Sequence, residues 1–182
     1  SLIGIAADAA ALSKEIAPDV APGIIEKLSP GAMPYTTGSG AKEILFIADP
    51  FCMNSRKTFK VLQSRLEQIR TLKVFWVAAY PEKGSEIAAA LAMKMQSAGK
   101  GAAALAKVFE LDVPDPDVIE KARENLFTVL KGIFSGEFGL TGLEQLKPEL
   151  DQIRKNTDLA KEIGYTGTPH FIVDGRVLHG HS

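Results

Sequence analysis

A single cysteine, Cys52, stands among the 182 residues, so no intramolecular disulfide forms. A disulfide framework and a multi-cysteine zinc site are both excluded. The chain has no run of about 18 uninterrupted apolar residues, which rules out a membrane-spanning helix of that kind. Charge of one sign is not in excess either. Lys and Arg number 21 against 22 Asp and Glu, a net charge of -1, which gives no electrostatic footprint for nucleic acid or an anionic membrane. Low-complexity segments and internal repeats are missing. The chain opens on Ser1 rather than Met, as a processed or expressed fragment does, and Leu2 to Ala7 lacks the basic start of a secretory signal. What is present is ordinary globular composition, 46% hydrophobic and 24% charged. A chain of this length buries roughly 70% of its unfolded surface and needs no staples.

Residues 1–40 read as a separate unit. The Ala-rich stretch Leu2 to Ile16 suggests a helix and Ile24, Ile25 and Leu28 a short second one. Pro18, Pro22, Pro30 and Pro34 interrupt it, and Thr36 to Gly40 reads as a loop. The expectation is an N-terminal helical arm, suited either to homodimerisation or to packing on the same core. From residue 41 the pattern changes. Ile44 to Ala48 is a short continuous apolar run, the mark of a strand covered on both faces, and Pro50 ends it. Phe59, Leu62, Leu66 and Ile69 then recur at helical spacing, and Leu72 to Tyr80 is a second buried strand. Strand, helix and strand in succession predict a βαβ unit with a parallel pair.

Helix formers fill Ser85 to Ala98 and Gly101 to Phe109, with the lysines from Lys94 to Lys107 expected on a solvated face. Pro114 and Pro116 precede a further helical stretch to about Phe134. Thr141 to Glu144 has capping-box spacing, a break is expected at Pro148, and Asp151 to Ile163 is helical. Phe171 to Val173 and Arg176 to Leu178 flank Asp174-Gly175, a strong two-residue hairpin signal. The fold class is therefore α/β: residues 41–182 form a mixed sheet of β-α-β and β-β halves, with a helical insertion at about 82–163 between them.

Cys52 lies in the turn between the first buried strand and the start of an amphipathic helix. The unpaired N–H groups of a helix start favour an anion by about 0.3–1 kcal/mol, and Arg56 and Lys57 act in the same direction. Thiolate is the nucleophilic form of sulfur, so this placement points to a reactive thiol. The bland alternative is a small buried hydrophobe. A second feature, Gly167-Thr168-Pro169-His170, directly precedes the last hairpin. Proline fits a strand best at its first residue, and a cis Thr168-Pro169 bond would offer the Thr168 backbone to an extended partner peptide. Alone, Gly-Thr-Pro is equally an ordinary turn.

Together, Phe46 to Ser55 and Ile163 to Gly175 resemble the active-site turn and the cis-proline loop of the Dsb proteins, thioredoxin-like thiol–disulfide oxidoreductases and isomerases of the periplasm. The resemblance spans about residues 43–180. It implies a thioredoxin-like fold with a helical insertion, Cys52 as attacking thiol, and Phe51, Thr168, Pro169 and His170 lining a peptide groove. It also implies a periplasmic location, unfolded or misoxidised proteins as substrates, a membrane redox partner or glutathione as a further partner, and no cofactor. Two departures stand out. Ser55 occupies the place of the resolving cysteine, giving Cys-x-x-Ser, and the chain ends at Ser182 where the family continues into a closing helix. With one thiol, Cys52 forms a mixed disulfide that no internal sulfur releases. Ser55 is then an engineered trap, a natural monothiol site served by an external thiol, or the mark of a scaffold without turnover.

Other readings stay open. A kappa-class glutathione transferase shares this core and would use Ser55 to activate glutathione. A non-enzymatic module would grip extended peptides at the Pro169 loop. His170 either neighbours Cys52 or points away from it. His179 and His181 read as a chance tail rather than a metal site, and Asp49 as a turn cap or a buried proton acceptor. Phe75 and Trp76 read as core.

Overall fold

The computed structural model describes residues 13–19, 22–79, 84–100, 107–109, 127, 142–165, 168–173 and 176–180. Strands β1 (Ser13–Asp19), β2 (Ala32–Thr37), β3 (Lys42–Ala48), β4 (Ile69–Trp76), β5 (His170–Val173) and β6 (Arg176–Gly180) form one sheet. Their order is β1-β6-β5-β3-β4-β2. The pair β3–β4 is parallel, with Phe46 opposite Val74 and Ala48 opposite Trp76. Every other pairing is antiparallel, and β5 meets β6 with Val173 opposite Arg176, the hairpin expected around Asp174-Gly175. Those two turn residues lie outside the described ones.

Helices among the described residues include α1 (Pro22–Leu28), α2 (Met53–Gln63), α3 (Ser85–Ser97) and α4 (Lys147–Glu162), with 3-10 turns at Ser29–Gly31, Leu66–Gln68 and Leu143–Leu146. Alternation along the strands divides the core. Phe46, Ala48, Val74 and Trp76 face one cluster with Phe59 and Leu62 of α2, most of α3, and Leu150 and Ile153 of α4. Ile47, Phe75, Val77 and Ile172 face the other, with Leu28 of α1 and Ala160 of α4. Helix α4 thus serves both faces. It passes the carboxyl end of β4, where Asn156 Nδ2 donates to Trp76 O (3.0 Å) and Gly31 O (3.3 Å). A Cβ on Gly31 would collide with the Asn156 amide, so that close approach requires glycine.

The N-terminal region corrects the expectation of a helical arm. Residues 13–19 and 32–37 are the two edge strands of the sheet, and only the short α1 between them is helical. Pairing with distant strands overrides local propensity here. Both edges carry proline at irregular register: Pro18 lies within the shift between Ile16 and Asp19, and Pro34 bounds that between Pro34 and Thr36. A residue without an N–H is tolerated at an edge or bulge. Residues 1–12, where the first helix was expected to begin, and 110–126, within the expected Pro114-to-Phe134 stretch, lie outside the described residues.

The described lysines between Lys94 and Lys107 stand on a solvated face as expected: Lys94 is partly exposed and reaches Glu149 at 3.7 Å, and Lys100 and Lys107 are exposed. The rest of α3 is buried along nearly its whole length, because its alanines allow close approach. One further expectation changes. Pro148 does not interrupt a helix but sits in the first turn of α4, where its missing N–H costs nothing. Phe75 and Trp76 are fully buried as expected, and Phe109 stacks on both Trp76 (5.5 Å) and Phe59 (4.4 Å). The Trp76 indole N–H donates to Gln96 Oε1 at 2.8 Å, and Gln96 Nε2 donates to Pro34 O (3.2 Å) and Met33 O (3.4 Å). One amide of α3 thereby joins β4 to edge strand β2. Gln96→Met keeps the volume and leaves the indole N–H without its acceptor. It is expected to lower stability by about 1–3 kcal/mol, read as a fall in urea midpoint at constant m.

Candidate active site

The site begins where β3 stops. Asp49 is fully buried and its carboxylate closes the turn: Phe51 N donates to Oδ1 at 2.7 Å, and Ala79 N, beyond the end of β4, donates to Oδ2 at 2.8 Å. Cys52 N donates to the Asp49 carbonyl at 3.2 Å. Of the two roles read from the sequence for Asp49, the structure shows the turn cap. The turn delivers Cys52 to the N-cap of α2, in extended conformation (φ -77, ψ 122), with its carbonyl accepting from Arg56 N at 3.0 Å. The sulfur therefore stands at the start of an eleven-residue helix.

Ser55 lies one turn on, fully buried, and its Oγ accepts from Asp49 N at 3.3 Å. Its hydroxyl oxygen is thus turned to the β3 end. Met53, between the two, is 60% exposed. Among the described residues only Ile25 joins it as an exposed large hydrophobe.

The second sequence feature meets the first in space. The Cys52 thiol donates to the Thr168 carbonyl, Sγ to O 3.4 Å, although 116 positions separate them. The Thr168–Pro169 bond is cis, Thr168 is half-buried and Pro169 is buried. Cys52 itself is 4% exposed. Cys52, Ser55, Thr168 and Pro169 are therefore gathered at one end of the sheet.

Phe51 and His170 stand differently. The Phe51 ring is 2% exposed and belongs to the core cluster under α2, so it offers no lining to a groove. Its place beside Cys52 in the chain suggested surface contact, but the Asp49 cap turns the backbone so that the ring goes inward. His170 pairs with Ile47 in the sheet, and its ring stacks on Tyr165 (5.0 Å, interplanar angle 15°). It shares the face of Ile47 and Ile172, whereas α2 covers the other. Burial pushes the Tyr165 hydroxyl above its ordinary value of 10.0, so the ring stays neutral at physiological pH. Tyr165 escaped the sequence reading, since nothing in its local pattern marks it. Among the described residues no cluster of three His, Cys, Asp or Glu side chains could hold a metal. His181 lies outside them. A cavity of about 220 Å³ lies between α1 and strands β3 and β4 and shares no residue with the Cys52 site.

Asp49 carries most of this geometry. Asp49→Ala leaves the N–H groups of Phe51 and Ala79 without acceptors and is expected to lower stability by about 2–4 kcal/mol. Asp49→Asn, which keeps one carbonyl oxygen, should cost less. Equilibrium urea unfolding of the two variants checks the order.

No family model and no curated protein matches the chain. Solved structures do. A thioredoxin-like oxidoreductase from Silicibacter pomeroyi DSS-3 superposes with TM-score 0.57 at 18% identity, over 84% of this chain and 86% of the other. A periplasmic thioredoxin-like protein from Salmonella enterica serovar Typhimurium gives 0.60 at 16% identity, over 90% of each chain. Proteus mirabilis ScsC in a transitional conformation gives 0.62 at 14% identity, over 100% of this chain and 80% of the other. The fold is thioredoxin-like, as the paired motifs implied.

Proposed function

We propose that this chain is a thiol–disulfide interchange protein acting on exported proteins, with Cys52 as its nucleophile. The observation that carries the reading is the 3.4 Å contact between the Cys52 thiol and the Thr168 carbonyl, made at the start of α2. A reactive sulfur and a backbone segment able to hold an extended peptide are brought together there. Exposed Met53 adds an apolar contact beside the sulfur, suited to unfolded chains. The name of the Salmonella neighbour supports a periplasmic setting.

The chemistry is one exchange. The Cys52 thiolate attacks one sulfur of a substrate disulfide, the new Sγ–S bond forms, the old S–S bond breaks, and the second substrate sulfur leaves as thiolate. No electrons are gained or lost overall. Ser55 cannot complete a second exchange, so release falls to an external thiol such as glutathione, or to a substrate thiol in an isomerisation. A glutathione transferase built on Ser55 is less well supported, because that hydroxyl is fully buried and already accepts from Asp49 N.

The test is covalent capture. Incubation with a peptide disulfide should add the mass of one peptide through Cys52, and Cys52→Ala should abolish the adduct. Ser55→Cys places a thiol one turn away, so the adduct's lifetime in millimolar glutathione should fall by at least about tenfold. Peptide binding unchanged in Cys52→Ala, with no adduct formed by the unaltered protein, would instead establish a binding module.

A further inference from the structure

The Cys52–Thr168 contact borders a groove of about 50 Å³ whose walls include Val77, Ala78, Ala79, Ala160 and Tyr165, with Thr157, Lys161 and Thr168 completing the lining. Resting on the interchange reading above, we propose that this groove receives a small aliphatic side chain, carried by the residue next to the substrate's reacting cysteine. The two faces of the sheet supply the argument. Cys52 follows Phe51, which packs under α2 on one face, whereas Val77, Ala160 and Tyr165 belong to the cluster on the other. An extended peptide lying along Thr168 turns successive side chains to opposite sides. If its cysteine is directed at Cys52, the adjacent residue is directed at the groove, about 3.3 Å further along.

The lining defines what fits. Three alanines make the walls shallow, which leaves room for a few carbon atoms rather than a large ring. Its backbone donors are already used: Val77 N donates to Ala48 O, Ala78 N to Thr157 Oγ1, Ala79 N to Asp49 Oδ2 and Tyr165 N to Ala160 O. A polar side chain entering here would lose its water and gain none of these four N–H groups in return. Lys161 stands at the rim as an exposed cation, but it belongs to the last turn of α4, whose carbonyl end opposes a bound anion. An apolar occupant is indifferent to both.

The experiment uses short peptides whose single cysteine is joined to nitrothiobenzoate, with Gly, Val, Asp or Trp on both sides of it. Attack of Cys52 on the peptide sulfur forms the protein–peptide disulfide and expels nitrothiobenzoate, whose absorbance gives the rate. The symmetric nitrobenzoate disulfide, which carries no peptide, normalises each protein for the intrinsic reactivity of its thiol. The Val peptide should react about tenfold faster than the Gly peptide, with Asp and Trp no better than Gly. Ala79→Leu should bring the Val-to-Gly ratio close to one. Tyr165→Ala, which widens the groove, should move the preference toward Trp and keeps the idea testable should the first variant fail to fold. A Val-to-Gly ratio within about twofold in the unaltered protein, or one unmoved by Ala79→Leu, overturns this specificity while leaving the interchange reading intact. Failure of every disulfide, the symmetric one included, overturns both.

Discussion

A buried carboxylate holds this architecture together at the point where it becomes chemical. Asp49 ends β3, yet its two oxygens accept from Phe51 on its own turn and from Ala79 beyond the neighbouring strand. Without those bonds the chain leaving β3 would have a buried Phe51 N–H with no acceptor and no reason to turn sharply. With them, Cys52 arrives at the start of α2 and the end of β4 is fixed beside it. The same tie therefore positions the thiol and one wall of the groove next to it. Ser55 reinforces it from the other side, because its hydroxyl accepts the N–H of Asp49 itself.

The parallel pair β3–β4 supplies the platform, and α4 completes it. Because α4 crosses the carboxyl end of β4, its first half packs with α2 and α3 while its second half packs against the opposite face. Asn156 marks the crossing, donating to the last carbonyl of β4 and to Gly31. Thr157 follows at once, accepting from Ala78 N at 2.9 Å. The helix thus leads directly into Tyr165 and the Thr168–Pro169 segment, and the placement of that segment against Cys52 follows from where α4 is pinned.

What could be read from the sequence divides along the range of the interactions involved. Strands β3 and β4 and helix α2 were legible because their signals are local: continuous apolar runs, a helical stripe, and proline after the first strand. The βαβ unit follows from those alone. Strands β1 and β2 were not legible, since β1 is a strand only through pairing with β6 near the other end of the chain, and β2 only through β4. Helix α3 was recognised as helix and its lysines as solvated, but the burial of its alanines was not legible, because the partners that cover them lie elsewhere in the chain. At the site, Cys52 and Thr168 were paired through two separated motifs and lie in contact. The inward turn of Phe51 and the stacking of His170 on Tyr165 depend on three-dimensional packing that no spacing records.

The substitution of oxygen for sulfur at Ser55 has a consequence beyond the loss of a second thiol. A buried cysteine at that place would put a weak sulfur acceptor opposite the Asp49 N–H, whereas serine presents a stronger hydroxyl oxygen to the same donor. Serine is therefore better suited than cysteine to stabilising the turn that carries Cys52. On the proposed interchange reading, a site with Ser55 in that place holds its mixed disulfide until an outside thiol arrives. On that same reading, selectivity rests less on internal redox poise than on which peptides lie well along Thr168.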